Sequence, residues 1–291
     1  VRALASGISQ GTELLLYRGE GPTPFDPSLD PPGTPTYPRR YGYAWVGEVV
    51  EGGEGLRPGA RVFALAPHGD FHALDAAALR PLDAAIPPRR AVLAANLETA
   101  INCVWDAGIR LGDAVVVLGG GVVGLLVAKL STSAGGRVRL VEPSPQRRAA
   151  AQALGLRAAS PEDDVPRADA DVVVEATGNP AVLDRAIAHA AFEGVVVVAS
   201  FYGARTAPVA LGSDFHRRRL RLQSSQVSSL PPSRGARWTP ARRFDLVRSL
   251  LLDDSLDVLV TDVHPFSDAA GVYARLDRSP GDAIQTVFDY E

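Results

Sequence analysis

Val115-Val116-Val117-Leu118-Gly119-Gly120-Gly121-Val122-Val123-Gly124 decides how the rest of the chain reads. A β-branched run enters G-x-G-x-x-G and continues into a helix-like stretch, residues 122–134, so the motif has both of its flanking elements. Gly119 permits the tight turn, Gly121 lets the backbone approach a pyrophosphate, and Gly124 lets the helix pack close to the strand. Val122 and Val123 open that helix, where unpaired N–H groups and the dipole favour an anion. The next strand, residues 137–141, ends at Glu142, eighteen residues beyond Gly124. That is close to the offset of about 20 at which a carboxylate accepts ribose hydroxyls and repels a 2′-phosphate. NAD is therefore expected as cofactor, with NADP kept open because Arg147 and Arg148 follow closely and soften the preference.

Outward from the motif, strands and helices alternate. Residues 171–176 and 195–199 read as strands, 145–154 and 181–191 as helices, and 220–223 as a further strand. Such alternation of β-branched runs with crossover helices predicts a parallel sheet, here a Rossmann domain over residues 94–253. Thr177 and Gly178 follow one strand, and Ser200 and Tyr202 follow another. Both ends belong at the carboxyl edge of the sheet, beside the nicotinamide half of the cofactor, or are ordinary strand-to-loop turns. Upstream, residues 1–92 carry short apolar runs between Gly and Pro and predict a β-rich unit. Residues 1–11 read as a strand entered midway, which suggests a missing N-terminal piece. Prolines 22, 24, 27, 31, 32, 35 and 38 make residues 19–38 an irregular loop, a plain surface connection or a substrate-covering lid. A helix over 240–252 precedes short strands at 258–262 and 283–289. These strands pair naturally with the first region, giving a discontinuous domain of residues 1–93 and 254–291. The expected fold class is thus α/β, a β-rich catalytic domain joined to a Rossmann domain.

Composition removes other classes. The 291 residues are 46% hydrophobic, enough for a sizeable core, and 30 Lys+Arg against 33 Asp+Glu leave a net charge of −3. That balance gives no general attraction for nucleic acid or acidic lipid. Cys103 is the single cysteine, so neither an intrachain disulfide nor a multi-cysteine zinc site can form. No apolar run reaches the roughly 20 residues of a spanning helix, and no signal peptide is seen, so a cytoplasmic location is expected. The partner is then a small-molecule substrate.

The chain resembles the medium-chain dehydrogenase/reductase superfamily over essentially its whole length. The residues that carry the resemblance are the cofactor half from Gly112-Asp113 to Glu142, Ser6-Gly7-Ile8-Ser9-Gln10-Gly11-Thr12-Glu13, Tyr41-Gly42-Tyr43-Ala44-Trp45-Val46-Gly47-Glu48, and Pro58-Gly59-Ala60-Arg61-Val62. The first N-terminal stretch looks most like a zinc-lacking branch that includes bacteriochlorophyllide-type dehydrogenases. The resemblance implies a GroES-like catalytic domain, a nicotinamide cofactor and a homodimer. Zinc-dependent relatives place metal ligands where this chain has Gln10, Tyr43 and, within a residue, Ala95, so no metal and no zinc are expected. A substitute set of His68, His72 and Glu98 matches no ordinary ligand spacing.

Without a Lewis acid, charge developing on a substrate oxygen must be met by hydrogen-bond donors. Tyr43, at the place of the lost His ligand, is the first candidate, or else a tyrosine packed on Trp45. Thr12 matches the proton-relaying hydroxyl of zinc relatives, or is a turn or cap residue. His68 sits in a Pro-Gly-flanked turn, near the substrate or on the surface. Glu98 is read at the opening of a helix over residues 97–107, where the N-terminus stabilises a carboxylate whatever its role. The expectation is zinc-independent hydride transfer between the cofactor and a secondary alcohol or ketone. The alternatives are an enoyl or quinone reductase acting on an activated C=C bond, and a nucleotide-binding partner protein without turnover.

Overall fold

The computed structural model describes residues 1–21, 37–38, 40–53, 55–279 and 281–290, so most of the proline-rich 19–38 loop lies outside the described residues. In chain order the elements begin with β1 (Arg2–Ile8), α1 (Gln10–Tyr17), β2 (Ala44–Glu48), β3 (Arg61–Ala64), β4 (Arg80–Pro81), α2 (Pro88–Ala91) and α3 (Ala94–Ala107). Next come β5 (Ala114–Leu118), α4 (Val122–Ser133), β6 (Arg137–Val141), α5 (Pro145–Ala153), β7 (Ala158–Ala159), β8 (Ala170–Glu175), α6 (Leu183–His189) and β9 (Ala190–Val198). The chain closes with β10 (Arg221–Ser224), α7 (Pro240–Leu250), β11 (Val260–Pro265), α8 (Ala269–Arg278) and β12 (Gln285–Asp289). Two compact units result, Val1–Ala95 with Phe201–Thr206 and Val260–Glu291, and Asn96–Ser200 with Ala207–Leu259. Among the described residues no helix is long and apolar enough to cross a membrane.

The first unit is a six-stranded sheet in the order β11-β12-β1-β2-β3-β4. β1 runs antiparallel to both neighbours, with Ser6 opposite Trp45 on one side and Phe288 on the other. The late strands therefore do return to the first region. Trp45 is fully buried with Val62, Ala64, Ala66 and Leu79, and its ring covers Gly47, where a Cβ would lie 2.0 Å from Trp45 Cη2. Residues two apart on a strand share a face, so the large ring requires the absent side chain. Its indole N–H donates to Gly69 O at 3.0 Å, which pins the 67–70 turn to the sheet.

Besides the four-residue α2, two longer helices in this unit depart from the β-only expectation. Residues 1–11 do not form one strand: β1 ends at Ile8 and α1 starts at Gln10. α8 lies between the two final strands, where no helix was foreseen. Both helices bury a short apolar edge: Leu14 from α1 and Val272 and Leu276 from α8 pack with Ile8 and Phe288. Burial of this kind, worth about 1.5–3 kcal/mol per large side chain, sustains helices too short to persist alone.

The second unit is an all-parallel sheet, β10-β9-β8-β5-β6-β7. Val115, Val116 and Val117 of β5 stand opposite Val172, Val173 and Val174 of β8, all buried. This is the two-sided burial that parallel sheets demand. The strand order reverses at β5, flanked by β6 and β8, and its carboxyl end is the switch point at which such sheets bind ligands. β9 begins at Ala190 and α6 ends at His189, so the helix expected over 181–191 stops early and the strand starts before Val195.

His189 is fully buried, and neither ring nitrogen has a hydrogen-bond partner among the described residues. Asp164 Oδ2 is 3.9 Å from Nε2. Burial holds the imidazole below its ordinary range, Asp164 opposes this, and Arg139 and Arg185 reinforce it. A lowered folded pKa means that the unfolded chain takes the proton first. The stability is thus complete above the ordinary histidine value of about 6.5 and falls as pH drops below it. Thermal unfolding followed from neutral to about pH 5 should fall more steeply for the wild type than for His189→Leu; parallel curves would refute the assignment.

Candidate active site

The glycine-rich turn leaves β5 at the switch point. Gly119 has φ +104°, and a Cβ there would lie 2.7 Å from Ala176 O. At Gly124 a Cβ would lie 2.0 Å from Gly119 O, so α4 can close on the turn only with glycine. Gly121 is different. Its φ of −70° and ψ of 175° suit any residue, and a Cβ would meet nothing within 4 Å. The fold does not need glycine there, but an approaching pyrophosphate does. No side chain caps α4, so the first-turn amides of Val122 and Val123 keep donors for an anion. These residues fit a dinucleotide.

Glu142 is buried and its carboxylate is held by two backbone donors, Gly120 N–H at 2.6 Å and Ser144 N–H at 2.8 Å. Each oxygen retains a lone pair for a ribose hydroxyl. Arg147 stands in the first turn of α5, its N–H donating to the Ser144 hydroxyl at 3.2 Å, while Arg148 reaches back to Glu142 O at 2.8 Å and Pro143 O at 2.6 Å. At the carboxyl end of β8, Gly178 N–H donates to Ser200 Oγ at 2.8 Å, and Thr177 N–H to the buried Glu175 carboxylate at 2.7 Å. Thr177, Gly178 and Ser200 thus meet in one unit, whereas Tyr202 belongs to the other with residues 201–206. Glu175 escaped the sequence reading because a carboxylate ending a valine run gives no sign of being buried.

In the first unit, Tyr43, Thr12 and His68 gather around the start of α1. The Tyr43 hydroxyl donates to Ser9 Oγ. Burial pushes the phenol up to about 12; hydrogen bonding from Ser9 and Thr12 pulls it down and the Glu13 charge raises it further. It is therefore a neutral donor at physiological pH. The His68 side chain is turned inward rather than onto the surface, only 7% exposed: Nε2 lies 3.0 Å from Glu13 Oε2 and Nδ1 2.6 Å from Ser6 Oγ. Ser6, Ser9 and Glu13, which the sequence offers only as marks of the family resemblance, and Tyr273 and Tyr290, which carry no local signal, all join this cluster.

Glu98 lies elsewhere. α3 begins at Ala94, so Glu98 sits beyond its first turn and not at the helix opening expected of it. It forms a half-buried ion pair at 3.0 Å with the buried Arg243, which also donates to Asn102 Oδ1 at 3.0 Å and Val227 O at 2.8 Å. Charge pairing, not the helix dipole, holds this carboxylate. Of the positions that the resemblance sets against metal ligands, Gln10 reaches Thr286 Oγ1 at 3.4 Å and Ala95 is buried. His72 Nε2 meets Pro67 O at 2.9 Å, and among the described residues no three His, Cys, Asp or Glu side chains gather as a metal set.

A family model described as zinc-binding dehydrogenase matches residues 122–241. The chain is 33% identical over 307 residues to the 2-desacetyl-2-hydroxyethyl bacteriochlorophyllide A dehydrogenase of Rhodobacter capsulatus, covering 98% of this chain and 88% of that protein. Among solved structures, the 2R,3R-butanediol dehydrogenase of Bacillus subtilis is similar with a TM-score of 0.77 at 23% identity, covering 99% of this chain and 91% of that one. An Escherichia coli CFT073 protein described as a short chain alcohol dehydrogenase, complexed with NADH, is similar with a TM-score of 0.75 at 19% identity, covering 99% and 90%.

Proposed function

The chain belongs to the medium-chain dehydrogenase/reductase superfamily, and from that premise we propose that it is a zinc-independent, NAD-preferring oxidoreductase interconverting a secondary alcohol and a ketone. The observation that carries this reading is the Tyr43–Ser9 hydroxyl pair at the start of α1. It stands at a position where zinc-dependent relatives carry a metal ligand. A bound nicotinamide supplies or accepts the hydride. Gly121 and the first turn of α4 hold its pyrophosphate, and Glu142 takes the adenosine ribose. Tyr43, kept protonated by its burial, donates to the substrate oxygen as charge develops there. Thr12 and Ser9 keep the phenol oriented. The names of the relatives, a hydroxyethyl-bacteriochlorophyllide dehydrogenase and a butanediol dehydrogenase, support alcohol chemistry over reduction of an activated C=C bond.

The family model's description speaks of zinc, but Gln10, Tyr43 and Ala95 supply no ordinary zinc donors. The purified protein is expected to reduce ketones with NADH, to contain no stoichiometric zinc and to keep its rate in a chelator. Elemental analysis and NADH-coupled turnover on matched ketones and enones check this. Zinc whose removal abolishes turnover would overturn the metal-free reading, and reduction confined to the enones would overturn the carbonyl reading.

A further inference from the structure

Four segments distant in sequence meet at one buried carboxylate. Glu13 accepts the Ser9 backbone N–H through Oε1 at 2.7 Å. Through Oε2 it accepts the Tyr273 hydroxyl and faces His68 Nε2 at 3.0 Å. Beyond His68, Ser6 Oγ meets Nδ1 at 2.6 Å and the Tyr290 hydroxyl at 2.7 Å, and Tyr290 accepts the Gly69 N–H at 3.2 Å. All these bonds are satisfied in one direction. Gly69 N–H donates to Tyr290, Tyr290 to Ser6, Ser6 to Nδ1, and the Nε2–H to Glu13. A carboxylate has lone pairs for all three of its donors.

Packing does not call for this arrangement. Leu14, Leu15 and Leu16 already give α1 its buried edge, and a buried ion pair is replaceable by apolar side chains at little or no cost in stability. Both arms of the carboxylate nevertheless end on what holds Tyr43. Ser9, fixed through its N–H, receives the Tyr43 hydroxyl on Oγ. His68, fixed through Nε2, presses its ring on Gly42, where a Cβ would lie 2.8 Å from His68 Cδ2, and the His68 backbone N–H donates to Tyr41 O at 3.1 Å. The residues flanking Tyr43 on one side, and its hydroxyl partner on the other, thus share a single anchor.

We propose that Glu13 is the positioning residue of the reacting phenol, locking Ser9 through the start of α1 and His68 against Gly42 so that the Tyr43 hydroxyl has one direction. This rests on the reading of Tyr43 as the proton donor, so its test separates the two. Glu13→Gln should lower kcat roughly 10–10²-fold, as misplacement by about an ångström does, while leaving the KM for NADH unchanged. The double variant Glu13→Gln/Tyr43→Phe should be no slower than Tyr43→Phe alone. Losses that multiply, or full turnover in Glu13→Gln, would overturn the proposal. Fluorine NMR of fluorotyrosine-labelled protein, with the Tyr43 signal assigned by its loss in Tyr43→Phe, provides a readout apart from turnover. Removing the Glu13 charge should let the Tyr43 phenol ionise at lower pH; Tyr41 is the other ionisable group acting on that phenol, and Glu13 itself is packed against Tyr273 and His68. Should Tyr43→Phe turn over normally, the proton-donor reading falls by itself, and an unmoved Tyr43 titration in Glu13→Gln sinks the positioning claim separately. If Glu13→Gln does not fold, Tyr273→Phe removes one donor from the same carboxylate and should show a smaller loss, likewise absent on the Tyr43→Phe background.

Discussion

Tyr43→Phe is expected to keep the fold and the affinity for NADH and to lose roughly 10²–10⁴-fold in turnover, the range for a general acid–base group. The substitution removes one oxygen and leaves the ring, so packing against the neighbouring Tyr41 ring, 6.3 Å away edge to face, is preserved. What goes is a donor that burial keeps protonated, with its pKa pushed up to about 12. A packing role for Tyr43 predicts almost no change in rate. Steady-state kinetics at saturating NADH, with thermal unfolding and cofactor titration as controls, distinguish the two. Unchanged turnover would remove Tyr43 as proton donor and make Thr12 and His68 the residues to examine.

What the sequence made legible was local. β5, the glycines, α4 and β6 follow one another within thirty residues, and each glycine has a backbone reason that can be argued without seeing a neighbour. α1 was hidden because residues 1–11 read as one strand and only Leu14, Leu15 and Leu16 follow as an apolar run. Its helicity depends on Phe288 and Leu276, more than 250 residues away. α8 has two buried positions, Val272 and Leu276, too few to impose a helical period. Glu98 was misread by three residues of helix boundary: a start at Leu97 makes it a dipole-stabilised carboxylate, whereas a start at Ala94 delivers it to Arg243. The Glu13–His68 pair had no local signature. Its partners come from β1, from the turn after β3 and from α8, and only the register of the sheet brings them together.

The cofactor site can be separated from the fold that carries it, because its glycines serve different ends. Gly121→Asp is expected to leave thermal stability unchanged or slightly higher, since its backbone is extended and its Cβ space is open. Aspartate is among the preferred N-cap residues, and a carboxylate at a helix N-terminus is worth about 0.3–1 kcal/mol. The same carboxylate takes the first-turn donors of α4 and sets a negative charge at the proposed pyrophosphate site. Hydrogen bonds to charged groups contribute about 1.5–3 kcal/mol each, so NADH affinity should fall roughly 10²-fold or more. Gly124→Ala should do the reverse of this separation. A Cβ 2.0 Å from the Gly119 carbonyl oxygen meets backbone that cannot swing aside, and overpacking of that kind costs about 1–3 kcal/mol of stability. Fluorescence titration of both variants and the wild type with NADH and NADPH also tests Glu142, whose buried carboxylate should make NADH the tighter ligand. Tighter binding of NADPH would remove Glu142 as the ribose ligand, and a Gly121→Asp protein that binds NADH normally would move the pyrophosphate off this helix.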